Sequence, residues 1–122
     1  MDSLSKEIHE FCLSLLGVTH VVQWGGSDVY KVGGKVFAII STDSDNLPRV
    51  TFKASEMSFE MLKNEPGMRP APYLASRGFK WLQRFDDRTL DDAGLCDYVR
   101  QSHAMVMAGL SKKKRLALQN PA

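Results

Sequence analysis

The ten residues VYKVGGKVFA, positions 29–38, constrain the fold more than any other stretch of the chain. Gly33-Gly34 stands between two strand-forming runs, and a two-residue type I′ turn needs φ > 0 at both central positions. The spacing therefore predicts an antiparallel hairpin of Asp28–Val32 with Lys35–Thr42 (KVFAIIST), the most apolar strand and the central one. Thr19–Trp24 reads as a strand before it, joined through a turn at Gly25-Gly26-Ser27-Asp28. After the hairpin, Asp43 to Pro48 is turn chemistry throughout. Arg49–Lys53 (RVTFK) then alternates, with Val50 and Phe52 inward and Arg49, Thr51 and Lys53 outward. The result is a four-stranded antiparallel meander.

Helices frame it. Asp2 or Ser3 caps a first helix to about Leu16, with Leu4, Ile8, Phe11 and Leu15 on one stripe and Gly17 as its stop. Ser55 caps a second over about Glu56–Asn64, facing in through Phe59 and Leu62 or Met61, and Pro66 ends it. Arg69-Pro70 and Ala71-Pro72 then force extended backbone before a short turn at 73–76. Gly78 releases a fifth strand over 79–85, FKWLQRF. Thr89 with Asp92 is a capping-box variant opening a third helix to about Leu110, whose seam is Cys96, Val99, His103, Val106 and Leu110. From about residue 111 the chain reads as a basic tail. The order α-β-β-β-β-α-β-α is an α+β, two-layer sandwich of a five-stranded antiparallel sheet and three main helices, with one sheet face left partly open.

At 122 residues the chain is expected to be one domain, long enough to bury a core unaided. A net charge of +2 does not by itself imply a polyanionic partner, but its distribution is uneven. Residues 1–48 hold three basic and six acidic residues, and residues 49–88 hold eight and five. Cys12 and Cys96 lack metal-ligand or redox spacing and read as reduced thiols, with a disulfide or metal role as the alternative. No run approaches the ~18 apolar residues of a membrane span, and the first residues lack the pattern of a signal peptide, so the cytoplasm is the expected compartment.

Candidate sites are few. The fourth strand offers Arg49 and Lys53, the fifth Lys80 and Arg84, and the loop between them and the second helix Arg69 and Arg77. Were the strand cations to share a solvated face, they would neutralise phosphates without sequence choice. Scattered solubilising charge is the competing reading. Lys112, Lys113, Lys114 and Arg115 either clamp phosphates or complement the C-terminal dipole of the last helix. Trp24 and Trp81 either stack on bases or fill the core. Gly33-Gly34-Lys35 is no phosphate loop, because Val29 and Val36 occupy positions where that motif needs Gly and Ser or Thr. His9, His20 and His103 are scattered, with His103 a hydrogen-bonded core residue and no metal site expected. Asp86-Asp87 and Asp91-Asp92 suit a helix start, and no nucleophile elbow exists. No cofactor is implied.

The blocks Gly17-Val18-Thr19, Val22-Gln23-Trp24-Gly25, Val29 to Ala38 and Pro66 to Ala75 (PGMRPAPYLA), with the SKKKR run after the last helix, resemble the MmcQ/YjbR family. The resemblance implies a small bacterial protein with a two-layer sandwich, a fold likened to frataxin, to secretion chaperones and to a double-wing phage transcription factor. A DNA-binding role is attached to the family by that last likeness, and no catalytic residues come with it. Where members often carry a His after Gly25, this chain has Gly26-Ser27. The expectation is a non-enzymatic binding module that contacts DNA phosphates weakly and without sequence preference. A protein-interaction or chaperone-like module, docking a partner or a second copy on the open sheet face, is the alternative. A small-molecule binder would need a pocket near Trp24, Tyr30 and Trp81.

Overall fold

A computed structural model describes residues 3–42, 48–72, 74 and 77–119, with side chains from residue 6 onward. The cap at Asp2 or Ser3, the side chain of Leu4, the loop at 43–47 and Tyr73, Ala75 and Ser76 lie outside the described residues or side chains.

The Gly33-Gly34 hairpin forms as its sequence dictates, with φ of 58° and 82° at the two glycines. It joins β2 (Ser27–Val32) to β3 (Lys35–Thr42). Strand β1 (Val18–Gln23) pairs with β2, and β3 pairs with β4 (Pro48–Lys53), so the four-stranded meander is real. Next to β4 lies β6 (Trp81–Arg84), the expected fifth strand, shorter than its sequence suggests. A further strand, β5 (Met68–Pro70), pairs with β6 inside the proline run and gives six antiparallel strands in the order β1-β2-β3-β4-β6-β5. Two proline-forced extended units were legible there. Pairing was not, because Pro70 offers no N–H, and only an edge position makes such a strand possible.

Helix α1 is Ser3–Ser14 and α2 is Glu56–Leu62, capped by Ser55, whose Oγ accepts from the Ser58 N–H at 3.1 Å. Phe59 and Leu62 are its buried residues, while Met61 is exposed. Helix α3 spans Asp92–Ala108. Its cap is Asp91, whose Oδ1 accepts from Gly94 N–H at 2.8 Å, rather than Thr89, whose hydroxyl donates instead to the Pro66 carbonyl. The run from Lys112 to Gln119 is a fourth helix, α4, and not a tail. Ser111 caps it by accepting from the Lys114 N–H.

All the helices pack on one face. Cross-strand register puts Tyr30, Ala38, Phe52 and Leu82 in one row and Ile40, Val50, Arg84 and Met68 in the next, and both rows face α1, α2 and α3. Because side chains alternate along a strand, the row between them faces away from the helices: Val21, Val29, Ile39, Thr51, Gln83 and Arg69.

Helix α3 is fastened to the sheet through one hydroxyl. Pairing of β3 with β4 ends at Ala38 and Phe52, close to a bulge opposite Tyr30 and Lys31. The next pair in register is Phe37 with Lys53, and Ser102 of α3 is inserted there. Its Oγ donates to the Phe37 carbonyl at 2.6 Å and accepts from the Lys53 N–H at 2.9 Å. Removing one hydroxyl therefore leaves a buried donor and a buried acceptor, each worth about 1–3 kcal/mol. Ser102→Ala is expected to lower unfolding free energy by about 2–4 kcal/mol in a urea titration, far more than exposed Ser111→Ala.

Candidate functional site

The helix-free face carries a cleft of about 450 Å³, within the size range of small-ligand sites. Ile39, Thr51 and Gln83, neighbours on three adjacent strands, form its floor. Ser27 and Ser41 edge one side. Pro72 and Leu74, from the proline run, rise over the β6–β5 end, and Trp24 stands over the β1–β2 end. Trp24 was expected on a strand and in the core, with stacking on a base as the alternative. It instead leaves β1 at φ 51°, the only positive φ of a non-glycine among the described residues, and stays 65% exposed. Such a conformation in a bulky residue is strained and commonly marks a functional position. Gly25 and Gly26, at φ 76° and 101°, make the tight return that presents it.

The floor is graded. Ile39 makes its β3 end apolar, and Val21 and Val29 continue that apolar row across β1 and β2 outside the lining, with Val29 fully buried although it lies outside the helix-side core. The β4–β5 half is a hydrogen-bonded chain. Arg69 Nε donates to Gln83 Oε1 at 2.7 Å, and Gln83 Nε2 donates to Thr51 Oγ1 at 3.1 Å. The Arg69 Cζ lies 5.3 Å from the Phe85 ring centroid, and that of Arg49 lies 5.8 Å from the same ring. Arg69 bears the single formal charge among the described lining residues.

The sequence-derived cations do not converge. Arg49 lies on the helix-free side but is 8% exposed and donates to the Phe85 carbonyl. Lys53 ends the same strand beside Trp81, in a separate small depression. Register puts Arg84 opposite Val50, on the helix side, where it is 3% exposed and donates to the Leu90 carbonyl at 2.8 Å and to Asp92 at 3.3 Å. It ties β6 to the start of α3 and is not a surface charge. Lys80 lies 4.9 Å from the Phe59 ring, and Arg77 is exposed on the loop before β6. A four-cation sheet face is therefore absent among the described residues, because β4 and β6 present their charges to opposite sides. Lys112, Lys113 and Lys114 are exposed in the first turn of α4. At that end the dipole of α4 itself opposes them.

A second cluster escaped the sequence because its members are distant along the chain. His9 Nδ1 lies 2.6 Å from the Tyr30 hydroxyl, and His20 Nε2 lies 2.8 Å from Asp28 Oδ1. The two imidazoles are 5.0 Å apart, edge to face. Register explains it, since His20 pairs with Tyr30 across β1 and β2. His103 fulfils its expected core role, bonding the Leu16 carbonyl at 2.8 Å. Among the described residues no group of His, Cys, Asp and Glu could hold a metal ion.

The YjbR family model matches residues 13–105. The chain belongs to the YjbR family. Uncharacterized protein YbdF of Escherichia coli O157:H7 is 26% identical over 88 residues, covering 70% of this chain and 69% of that protein. The crystal structure of Deinococcus radiodurans protein DR2400, a DUF419 protein, matches with a TM-score of 0.79 at 21% identity, over 94% of this chain and 87% of that one. That likeness shows a shared fold. The matched span of the YjbR model includes Trp24, the six-residue row and the proline run, and stops before α4. No helix among the described residues is long and apolar enough to cross a membrane.

Beneath the cluster, Cys12 is fully buried and its thiol is pushed up to about 12 from 9.0, chiefly by burial. Burial also raises the Tyr30 phenol, with Cys12 and Asp28 adding to the effect. A raised pKa in the folded state means that the folded protein holds these protons more tightly. Stability is then fully present below about pH 9 and declines as pH climbs towards 12. Denaturation midpoints should fall across that window, and the fall should be shallower in Cys12→Ala.

Proposed function

We propose that the chain is a non-enzymatic binding module whose working surface is the helix-free face of the sheet. The observation that carries this reading is the cleft itself, walled by a strained, exposed Trp24 on one side and by the proline run on the other. Its described lining holds Ser27, Ser41 and Thr51 but no His, Cys, Asp, Glu or Lys. No described lining residue can serve as the general base that activates a hydroxyl, so binding rather than turnover is what the arrangement suits. The protein-interaction alternative drawn from sequence uses this same face.

A nucleic-acid reading has one observation in its favour, the exposed Lys112, Lys113 and Lys114 at the start of α4. Helix N-terminus and ammonium groups there add to one positive field. Contacts of this kind are to phosphate, weak and strongly dependent on salt.

One experiment separates the two. Amide chemical shifts of isotope-labelled protein are followed on adding, in turn, a small-molecule fragment mixture and a short DNA duplex at about 50 mM salt. The cleft reading expects fragment-induced shifts confined to β3, β4, β6 and Trp24. The phosphate reading expects duplex-induced shifts at residues 112–115 that fade when salt is raised fourfold. Fragments that leave the sheet face unperturbed would sink the first reading. The triple change of Lys112, Lys113 and Lys114 to Gln should abolish any duplex response and leave fragment binding intact.

A further inference from the structure

We propose that the cleft on the helix-free face takes a small amphiphilic carboxylate, with its anionic head on Arg69 and its apolar body over Ile39 beneath Trp24. The proposal rests on the reading of this face as the binding surface and adds the chemistry of the ligand. Register carries it. Reading across the sheet, the row that floors the face changes from Val21, Val29 and Ile39 to Thr51, Gln83 and Arg69, so polarity rises in one direction without a break. A ligand lying along this row crosses strands at about 4.8 Å each. From β3 to β5 is three steps, β3 to β4, β4 to β6 and β6 to β5, a span of roughly 14 Å. That separation suits an extended molecule with one apolar and one charged end.

Charge complementarity selects the head group. Arg69 supplies one positive charge, and the described lining supplies no negative charge to answer it. Its Nε is held by Gln83 and its Cζ lies 5.3 Å from the Phe85 ring centroid, so the guanidinium is positioned before any ligand arrives. Its two terminal amino groups make no hydrogen bond among the described residues, and a planar fork of donors matches the two oxygens of a carboxylate. One guanidinium among the described lining residues, set among apolar and hydroxyl-bearing neighbours, suits a monoanion better than a polyphosphate, which would call for several cations. The opposite end offers the apolar Ile39 and the Trp24 ring, with no charge among the described lining residues to hold a second charged group. Pro72 and Leu74 close the proline side, which favours a slim molecule over a macromolecular surface.

The test is isothermal titration of the wild-type chain with decanoate and with 1-decanol, which share the apolar body and differ in the head. Decanoate is expected to bind at least tenfold more tightly. Arg69→Gln should remove that tenfold preference, about 1.4 kcal/mol, while leaving decanol affinity unchanged. Arg69→Lys should restore part of it. Trp24→Ala should weaken both ligands alike, and Arg77→Gln, outside the cleft, should change neither. Unchanged decanol binding doubles as the check that Arg69→Gln remains folded. If decanoate and decanol bind equally, or if Arg69→Gln leaves the preference intact, the carboxylate assignment is wrong while the cleft still stands as a binding surface. If neither binds and amide shifts on the sheet face stay still, this inference is overturned. Fragment shifts on that face then decide whether the cleft reading survives it.

Discussion

The hydroxyl of Ser102 sits where the sheet's own ladder stops, between a carbonyl of β3 and an N–H of β4. A strand pair that ends inside a core leaves two backbone groups without water or partner, and that is costly. Here the long helix supplies both partners from a single atom. This sets where α3 crosses the sheet, and so which face it covers. Leu95, Val99 and Val106 follow it into the helix-side layer, where they meet Ile8, Tyr30 and Phe52. At its other end Arg84 reaches from β6 to the Leu90 carbonyl and Asp92, so two polar contacts hold the helix. With the helices committed to one side, the other face is left to Thr51, Gln83, Arg69 and the two flanking loops.

Much of this architecture was legible in the sequence, for identifiable reasons. Gly33-Gly34 admits one kind of turn, Val50 and Phe52 alternate cleanly, and Ser55 and Pro66 bracket α2, so those elements follow from local chemistry. The misreadings share a cause. Strand β5, helix α4 and the place of Arg84 are decided by tertiary partners. Three residues carrying Pro70 look like a loop until an edge is free to receive them. KKKRLALQ reads as a tail because four cations hide its helical period, although Leu118 packs against the core. Ser102 was passed over in a seam judged by its apolar members, yet it is the polar residue that fastens the helix.

The candidate site was legible only in part. Trp24 and the proline run stand out in the sequence, and both border the cleft. The floor did not, since Arg69 stood out only as one cation among several and Thr51 and Gln83 gain a role only when register aligns three strands. Alternation placed Lys80 and Arg84 together correctly, but it could not say which face of β6 turns toward Arg49. One residue of register decides that, and the pairing of Val50 with Arg84 puts the guanidinium indoors. Membership of the YjbR family fits the shared fold, while the chemistry of the face belongs to the side chains this chain places there.

The tight return at Trp24, Gly25 and Gly26 has an optical consequence. Trp81, the second indole of the chain, is half-buried beside Lys53 at the far end of β4, so the two indoles sit in unlike surroundings. An exposed indole emits from a watery environment, and whatever settles beneath it will shift its emission to the blue. The protein thus carries its own reporter at the mouth of the cleft, and its colour tracks how dry that mouth is.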